Sequence, residues 1–280
     1  MNLVIRNNNT GSHVGCASWD DKIPNHRSRK RSFCVVQLYI IILLAVATLH
    51  AEPAAVPPKQ DWSFASPIGT FDRAALQRGF QVYKQVCSAC HSIKYISFRH
   101  LKALGLSDAE IKVLASQYQI KDGPNDEGEM FERPGRPSDY FPLAYANEKQ
   151  ARAANNGAFP PDLSLIVKAR PGGADYVYAL LTGFTENPDF KVGTGQYYNA
   201  YFSGHAISMA PPLSEGLISY GDGTKATVEQ MAHDVTTFLA WASEPEAEER
   251  KRLGLKVLMY LLMMTGLFWA TMRRIWKNVR

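Results

Sequence analysis

A chain of 280 residues with 46% hydrophobic and 20% charged side chains has the composition of an ordinary globular protein, long enough for one domain of substantial core plus accessory segments. Its net charge of +5 is unevenly placed: residues 1–51 hold six basic and two acidic side chains, and the tail from Arg273 holds four basic ones, so the part between is acidic by three charges. An acidic working domain argues against nucleic acid as a partner and favours a cationic one.

The first distinctive stretch is Phe33–Ala47, FCVVQLYIIILLAVA, with one polar residue in fifteen behind the basic cluster Arg27, Arg29, Lys30 and Arg31. A basic region, a short apolar core and the small-residue ending at Ala51 predict an export signal over residues 1–51, cleaved after Ala47 or Ala51. The competing reading is a retained anchor, but fifteen residues are short for a span, which takes about 20. Cleavage removes Cys16 and Cys34, leaving only Cys87 and Cys90 and no disulfide. Residues 1–26 suggest no role of their own.

Residues 52–66, rich in Pro and Ala, read as an extended lead-in to a domain over 52–252. Thr70 offers an N-cap, and Leu76, Gly79, Phe80 and Tyr83 follow at i, i+3, i+4 and i+7, which predicts a helix running into the cysteines.

There the chain reads VCSACH, Val86–His91. Paired cysteines at this spacing serve zinc, dithiol redox chemistry or covalent haem attachment. Structural zinc needs a second ligand pair, and Cys16 and Cys34 are single and far upstream. A thioredoxin-like dithiol belongs in a βαβ setting, which the surrounding pattern lacks. Haem attachment uses all three residues: two thiols one turn apart add to the two vinyl groups, and the His91 imidazole lies under the iron.

Further along, Ser107 with Glu110 predicts a capping box and a short helix. Lys121–Asp139, with three Gly and three Pro, reads as loop. Thr227 with Gln230 predicts another capping box, after which Val228, Met231, Val235, Phe238 and Leu239 line one face of a helix ending near Trp241. Leu253–Met272 is apolar for 20 residues, about 30 Å as a helix and one hydrocarbon thickness. Lys256 can snorkel, Trp269 and Trp276 mark the far boundary, and the basic tail 273–280 places that end on the cytoplasmic or matrix side. The predicted class is mainly α with long loops plus one C-terminal transmembrane helix.

A haem that only carries electrons has both axial positions filled. The candidates opposite His91 are His100, His205, Met130, Met209 and Met231. Met231 belongs to an apolar helical stripe and reads as core. Met209 in ISMAPPL precedes two prolines that stiffen its loop, which suits a thioether held at fixed distance; His205 is the alternative.

The stretches CSACHSIKYISFRHL, DGPNDEGEMFERPGRPSDYFP, ARAANNGAFPPDLSLIVKARPGGADYVYALLTGF, ISMAPPL and DVTTFLAWASEPEAEERKRLGLKVLMYLL, from about residue 60 to the C-terminus, resemble the cytochrome c1 family. That is the c-type haem subunit of the quinol-oxidising cytochrome bc1 complex, which does no bond-making chemistry itself. The resemblance implies a class I cytochrome c-like domain whose haem-attachment helix crosses the last soluble helix. It further implies one membrane anchor and a place, in a dimeric complex with cytochrome b, between the Rieske iron–sulfur protein and a soluble cytochrome c. Carried onto this chain, it makes Cys87 and Cys90 the attachment sites of one haem c, His91 and Met209 the iron ligands, and Arg170 the partner of a haem propionate. Asn155, Pro160, Pro161, Leu163, Ile166, Tyr176 and Phe202 match pocket-lining positions. Some members carry a further disulfide; this region has no cysteines for one, which leaves open how the distal loop is braced.

The rival classes are a haem enzyme or gas sensor with an open sixth position, and a freestanding membrane cytochrome. A simple export signal favours a bacterial inner membrane with the domain in the periplasm; the alternative is the mitochondrial inner membrane, facing the intermembrane space. Two acidic runs, Asp122, Asp126, Glu127, Glu129 and Glu244, Glu246, Glu248, Glu249, offer a surface for a basic soluble cytochrome.

Overall fold

The computed structural model describes residues 54–277 and residue 279. The chain divides into two units, Met1–Glu52 and Pro53–Arg280. The expected export signal, with Cys16 and Cys34, lies outside the described residues.

Helix α1, Arg73–Gln85, is started by Asp72 rather than Thr70: its carboxylate accepts from the amides of Ala74 at 2.9 Å and Ala75 at 3.4 Å. The predicted face is the buried one, with Leu76, Gly79, Phe80 and Tyr83 turned inward. They meet α6, Val228–Ser243, which buries Met231, Val235, Phe238 and Leu239 as the periodicity predicts and runs two residues past Trp241. Thr227 caps α6 by accepting from the Gln230 amide at 3.1 Å, but the Gln230 side chain turns to Asp234 instead of closing a box.

Phe80, Tyr83 and Phe238 form one aromatic cluster at the crossing, and Phe141, Phe98 and Tyr118 extend it under a 3₁₀ helix, Phe98–Leu104. Burying each such ring contributes about 1.5–3 kcal/mol, so the cluster holds the crossing together. One ion pair is also set into this crossing. Arg78 donates to both Asp234 oxygens at 2.8 and 3.0 Å, and to Asp222 at 3.0 Å.

The Ser107–Glu110 capping box forms as expected and opens α2, Asp108–Ser116. The stretch 121–139, expected as loop, contains part of a small antiparallel hairpin: β1, Gln119–Asp122, pairs with β2, Phe131–Pro134, in the register Gln119↔Pro134. These strands are short and polar, so alternation does not announce them. Arg133 ties the hairpin instead, reaching Asp122 and donating to both oxygens of Asp139 at 2.6 and 3.0 Å.

Three short helices follow: α3, Glu148–Ala154; α4, Ile166–Ala169; and α5, Gly173–Thr182. A two-residue hairpin pairs β3, Tyr197–Tyr198, with β4, Ala206–Ile207. The lead-in before α1, expected to be extended, turns at residues 63–68 and is fastened: Trp62 Nε1 donates to Asp175 of α5 at 2.7 Å, and its ring stacks on His233 of α6 at 4.9 Å.

The last helix, α7, spans Ala247–Lys277, 31 residues and about 46 Å, and starts six residues before the expected span. Its most apolar stretch is covered by no other part of the described chain, and it is the one described helix long and apolar enough to cross a membrane. A core helix of this hydropathy would be buried; this one presents Leu258, Leu262, Phe268 and Trp269 outward. The architecture is the mainly α, haem-domain-plus-anchor class expected from the sequence.

Candidate haem-attachment site

The end of α1 makes the site. Val86 closes the helix, and Cys87–Ala89 continue as a single 3₁₀ turn. The Cys87 carbonyl accepts from the amides of Cys90 at 3.1 Å and His91 at 2.9 Å, which winds the two cysteines and the histidine around one turn. Ser88 Oγ donates back to the Lys84 carbonyl at 2.8 Å, and Tyr83 Oη donates to the His91 carbonyl at 3.1 Å. The motif is therefore built on the helix that crosses α6.

Both cysteines are free and half-buried. Burial, with a smaller contribution from Cys90, pushes the Cys87 thiol up to about 12. Among the described residues no three His, Cys, Asp or Glu side chains converge as a metal-binding group.

His91 Nδ1 lies 2.8 Å from the carbonyl oxygen of Pro161. A carbonyl can only accept, so Nδ1 carries the proton and Nε2 is left with its lone pair. Burial holds the imidazole below its ordinary pKa, against the raising effects of that hydrogen bond and of Asp162. A neutral ring with a fixed tautomer is what an iron ligand needs. The two thiols one turn apart and the free Nε2 beside them fit a covalently attached haem.

The segment carrying Pro161 is laced to the residues after the motif. Leu163 N donates to Ser92 O at 2.8 Å, Lys94 N to Asp162 Oδ2 at 3.0 Å and Tyr95 N to Ser164 Oγ at 3.2 Å. Pro161 is thereby held against His91 and Leu163 against Ser92, with Pro160 and Ile166 flanking them along the chain. Asn155 closes α3, its amide donating to Ala151 O at 2.7 Å and Tyr145 Oη at 3.0 Å. Tyr176 is half-buried on α5; burial raises its hydroxyl pKa and the charge of Arg170 opposes that. Arg170 itself is exposed at the end of α4 and pairs with no carboxylate among the described residues.

Met209 sits two residues past β4, half-buried, and Phe202 lies in the loop joining β3 to β4. The other axial candidates have occupations of their own. His100 Nδ1 accepts from the Ser97 amide at 3.1 Å, capping the 3₁₀ helix. Met231 is fully buried in the core, Met130 is exposed on the hairpin loop, and His205 is packed between β3 and β4. The Pro161 carbonyl is the member that residue patterns miss: it is a backbone group 70 positions from His91, and the only sequence signal for it is the stiff pair Pro160–Pro161.

Residues 62–279 match the family model described as the Cytochrome C1 family. A cytochrome b/c1 of Bradyrhizobium diazoefficiens is 52% identical over 250 residues; that match covers 81% of this chain but 36% of the relative, so this chain spans about a third of its length. Cytochrome c1 of Rhodospirillum rubrum is 48% identical over 239 residues, covering 79% and 88% of the two chains. The mitochondrial cytochrome c1 haem protein of Kluyveromyces lactis is 49% identical over 226 residues, covering 80% and 77%. With a free-thiol pair, a tautomer-fixed histidine and likeness over most of its length, this chain belongs to the cytochrome c1 family, whose members carry covalently bound haem c as electron-transfer subunits of the cytochrome b–c1 complex.

Proposed function

We propose that this chain is a membrane-anchored electron carrier that takes electrons from a Rieske iron–sulfur protein and passes them to a soluble cytochrome c, beside cytochrome b in a dimeric quinol-oxidising complex. Cys87 and Cys90 would hold the haem by thioether bonds, with His91 Nε2 and Met209 as the ligands of its iron. The observation that carries this reading is the 2.8 Å contact between His91 Nδ1 and Pro161 O on the same turn that carries Cys87 and Cys90. The bound haem c supplies one-electron ferrous–ferric cycling.

The polypeptide's part is to bind, orient and shelter. Pro161 O fixes the tautomer and plane of the His91 ring. Arg170, exposed and without a carboxylate partner among the described residues, is available to neutralise a propionate. Filling both axial positions leaves no open site for oxygen chemistry, which separates this carrier from a haem enzyme.

In this reading residues 1–51 are the export signal and residues 52–252 the haem domain, on the periplasmic face of a bacterial inner membrane. Residues 253–272 cross the membrane, and the basic tail 273–280 stays in the cytoplasm. Relatives from bacteria and from mitochondria both match, so the equivalent mitochondrial placement faces the intermembrane space. Purification in mild detergent tests the assignment. Haem that stays with the denatured chain, and cytochrome b and Rieske subunits that co-purify, are the expected results. A chain that purifies alone with haem attached would leave a freestanding cytochrome as the answer.

A further inference from the structure

The loop between β3 and β4, residues 199–205, ends four residues before Met209, and nothing covalent braces it, since the described chain has no cysteine beyond Cys87 and Cys90. Its centre is the fully buried side chain of Asn199. The Asn199 amide donates to the Leu180 carbonyl of α5 at 2.8 Å, and its oxygen accepts from the amides of Tyr201 at 3.1 Å and Phe202 at 3.2 Å. One carboxamide thus closes the loop on itself and ties it to a helix. The main chain repeats the tie, with Ala200 N donating to Gly183 O at 3.2 Å.

The other end of the loop is His205, a side-chain-bearing residue at φ +56° directly after Gly204 at φ +75°. That left-handed conformation disfavours a Cβ and persists only where the surroundings enforce it. Here they do. His205 N donates to Phe202 O at 2.9 Å, its carbonyl accepts from Asn199 N at 2.9 Å, and Nδ1 donates to Asn199 O at 3.3 Å. Its ring stacks on Tyr198, with centroids 5.6 Å apart, and meets Phe190 edge-on at 5.8 Å. The ring nitrogen, the backbone and the aromatic faces are all committed to the loop, and β4 leaves it at once toward Met209.

We propose that Asn199 and His205 are positioning residues for the distal iron ligand: together they act as a non-covalent clamp that fixes where β4 delivers Met209. This rests on the reading of Met209 as that ligand. A buried amide making three hydrogen bonds to two elements, and a histidine held at positive φ by its partners, concentrate order in the loop that leads into Met209. A sulfur–iron bond at a fixed position calls for that order.

The test uses the full-length holoprotein in detergent, read well below its unfolding temperature. The readouts are the weak sulfur-to-iron band at the red end of the ferric spectrum, the midpoint potential and carbon monoxide binding to the reduced form. Met209→Leu is the reference and must abolish the band, lower the potential and admit carbon monoxide. Asn199→Ala is expected to do the same in most molecules while haem attachment to the chain is unchanged. His205→Val, which resists positive φ, is expected to follow it, and His205→Asn, which tolerates positive φ, to stay close to the parent. Should Asn199→Ala fail to fold, the two His205 variants decide. A lower melting temperature with the band, potential and carbon monoxide response of the parent would reduce the clamp to ordinary packing and overturn the proposal. If Met209→Leu leaves the band in place, the ligand reading fails and the proposal with it; if Met209→Leu abolishes the band but the loop variants keep it, the clamp alone fails.

Discussion

Gly79 of α1 lies directly on the main chain of Asp234 in α6: a Cβ at position 79 would stand 2.0 Å from the Asp234 carbonyl oxygen and 2.8 Å from Phe238 Cβ. No side chain fits there without moving one helix off the other. Because α1 leads directly into the turn carrying Cys87 and His91, this contact bears on the site as well as the core. Gly79→Ala gains about 1 kcal/mol of helix propensity. Overpacking at a backbone-to-backbone crossing costs about 1–3 kcal/mol or more and should win. The expected result is a lower denaturation midpoint together with a smaller yield of haem-bearing chain. A midpoint at or above the parent value would show that the crossing relaxes freely.

Asp234 is fully buried and carries the Arg78 fork. Burial alone would raise its pKa, but the neighbouring His233 imidazole and the hydrogen bonds from Arg78 and Gln230 outweigh it and hold the carboxyl below the ordinary carboxylate range. A carboxylate whose folded pKa is depressed stabilises the fold at all pH above its unfolded value, about 3.9, and loses that contribution as pH falls through the folded value. Part of the acid lability should therefore belong to this residue. Asp234→Asn is expected to cost about 3 kcal/mol at neutral pH, because it removes the buried partner of Arg78 and leaves only the more exposed Asp222, and to flatten the stability–pH curve below about pH 4. Equilibrium unfolding between acid and neutral pH measures both. An unchanged slope in the variant would assign the acid limb to other carboxylates.

The first turns of α7 clasp the segment before α1. Lys251 Nζ donates to the carbonyls of Phe64 at 2.6 Å, Ser66 at 2.9 Å and Gly69 at 3.2 Å, while Glu248 accepts from the Phe71 amide at 2.7 Å and pairs with Arg73. The membrane helix is thus part of the soluble fold for its first turn and a half. Truncation after Arg252 keeps the clasp and should release a soluble, folded, red domain. Truncation after Glu246 removes it and should lower the melting temperature by several degrees, in line with about 1–3 kcal/mol for charge-assisted hydrogen bonds that are partly exposed. Equal stability of the two truncated domains would show that the clasp contributes nothing.

What the sequence discloses here depends on how local each interaction is. Cys87, Cys90 and His91 are readable because their geometry fits within one turn, and the α1 and α6 faces because helical periodicity records burial. The α1 cap is misread because Thr70 and Asp72 both carry a capping oxygen; only the fold shows that Asp72 reaches Ala74 N. The β1–β2 hairpin escapes because Arg133, gripping Asp122 and Asp139, supplies the order that apolar alternation would otherwise signal. Pro161 and Asn199 are least visible, since they act on or through backbone groups 70 and 19 residues away. The start of α7 at Ala247 is hidden for a different reason: hydropathy marks where a helix becomes apolar, not where it begins.

The two acidic runs turn out unequal, and that makes the partner surface testable. Glu244 is taken up by Lys168 and Arg250, Glu248 by Phe71 N and Arg73, and Asp122 by Arg133. Asp126, Glu127, Glu129, Glu246 and Glu249 are exposed and make no ion pair among the described residues. A charge already neutralised by a neighbour adds little to the field felt by an approaching protein, whereas free carboxylates add fully within a Debye length, about 10 Å at 0.1 M salt. Electron transfer to a cationic soluble cytochrome should therefore slow as salt rises. Replacing Asp126, Glu127 and Glu129 together by their amides should lower the rate at low ionic strength about tenfold or more and flatten the salt dependence. Replacing Glu244 and Glu248 should leave the salt dependence nearly unchanged and instead loosen the contacts those two residues make within the fold. Stopped-flow transfer at a series of ionic strengths reads all three proteins. If the first variant keeps the parent's salt slope, the hairpin loop is not where the partner docks, and the free pair Glu246 and Glu249 becomes the surface to change next.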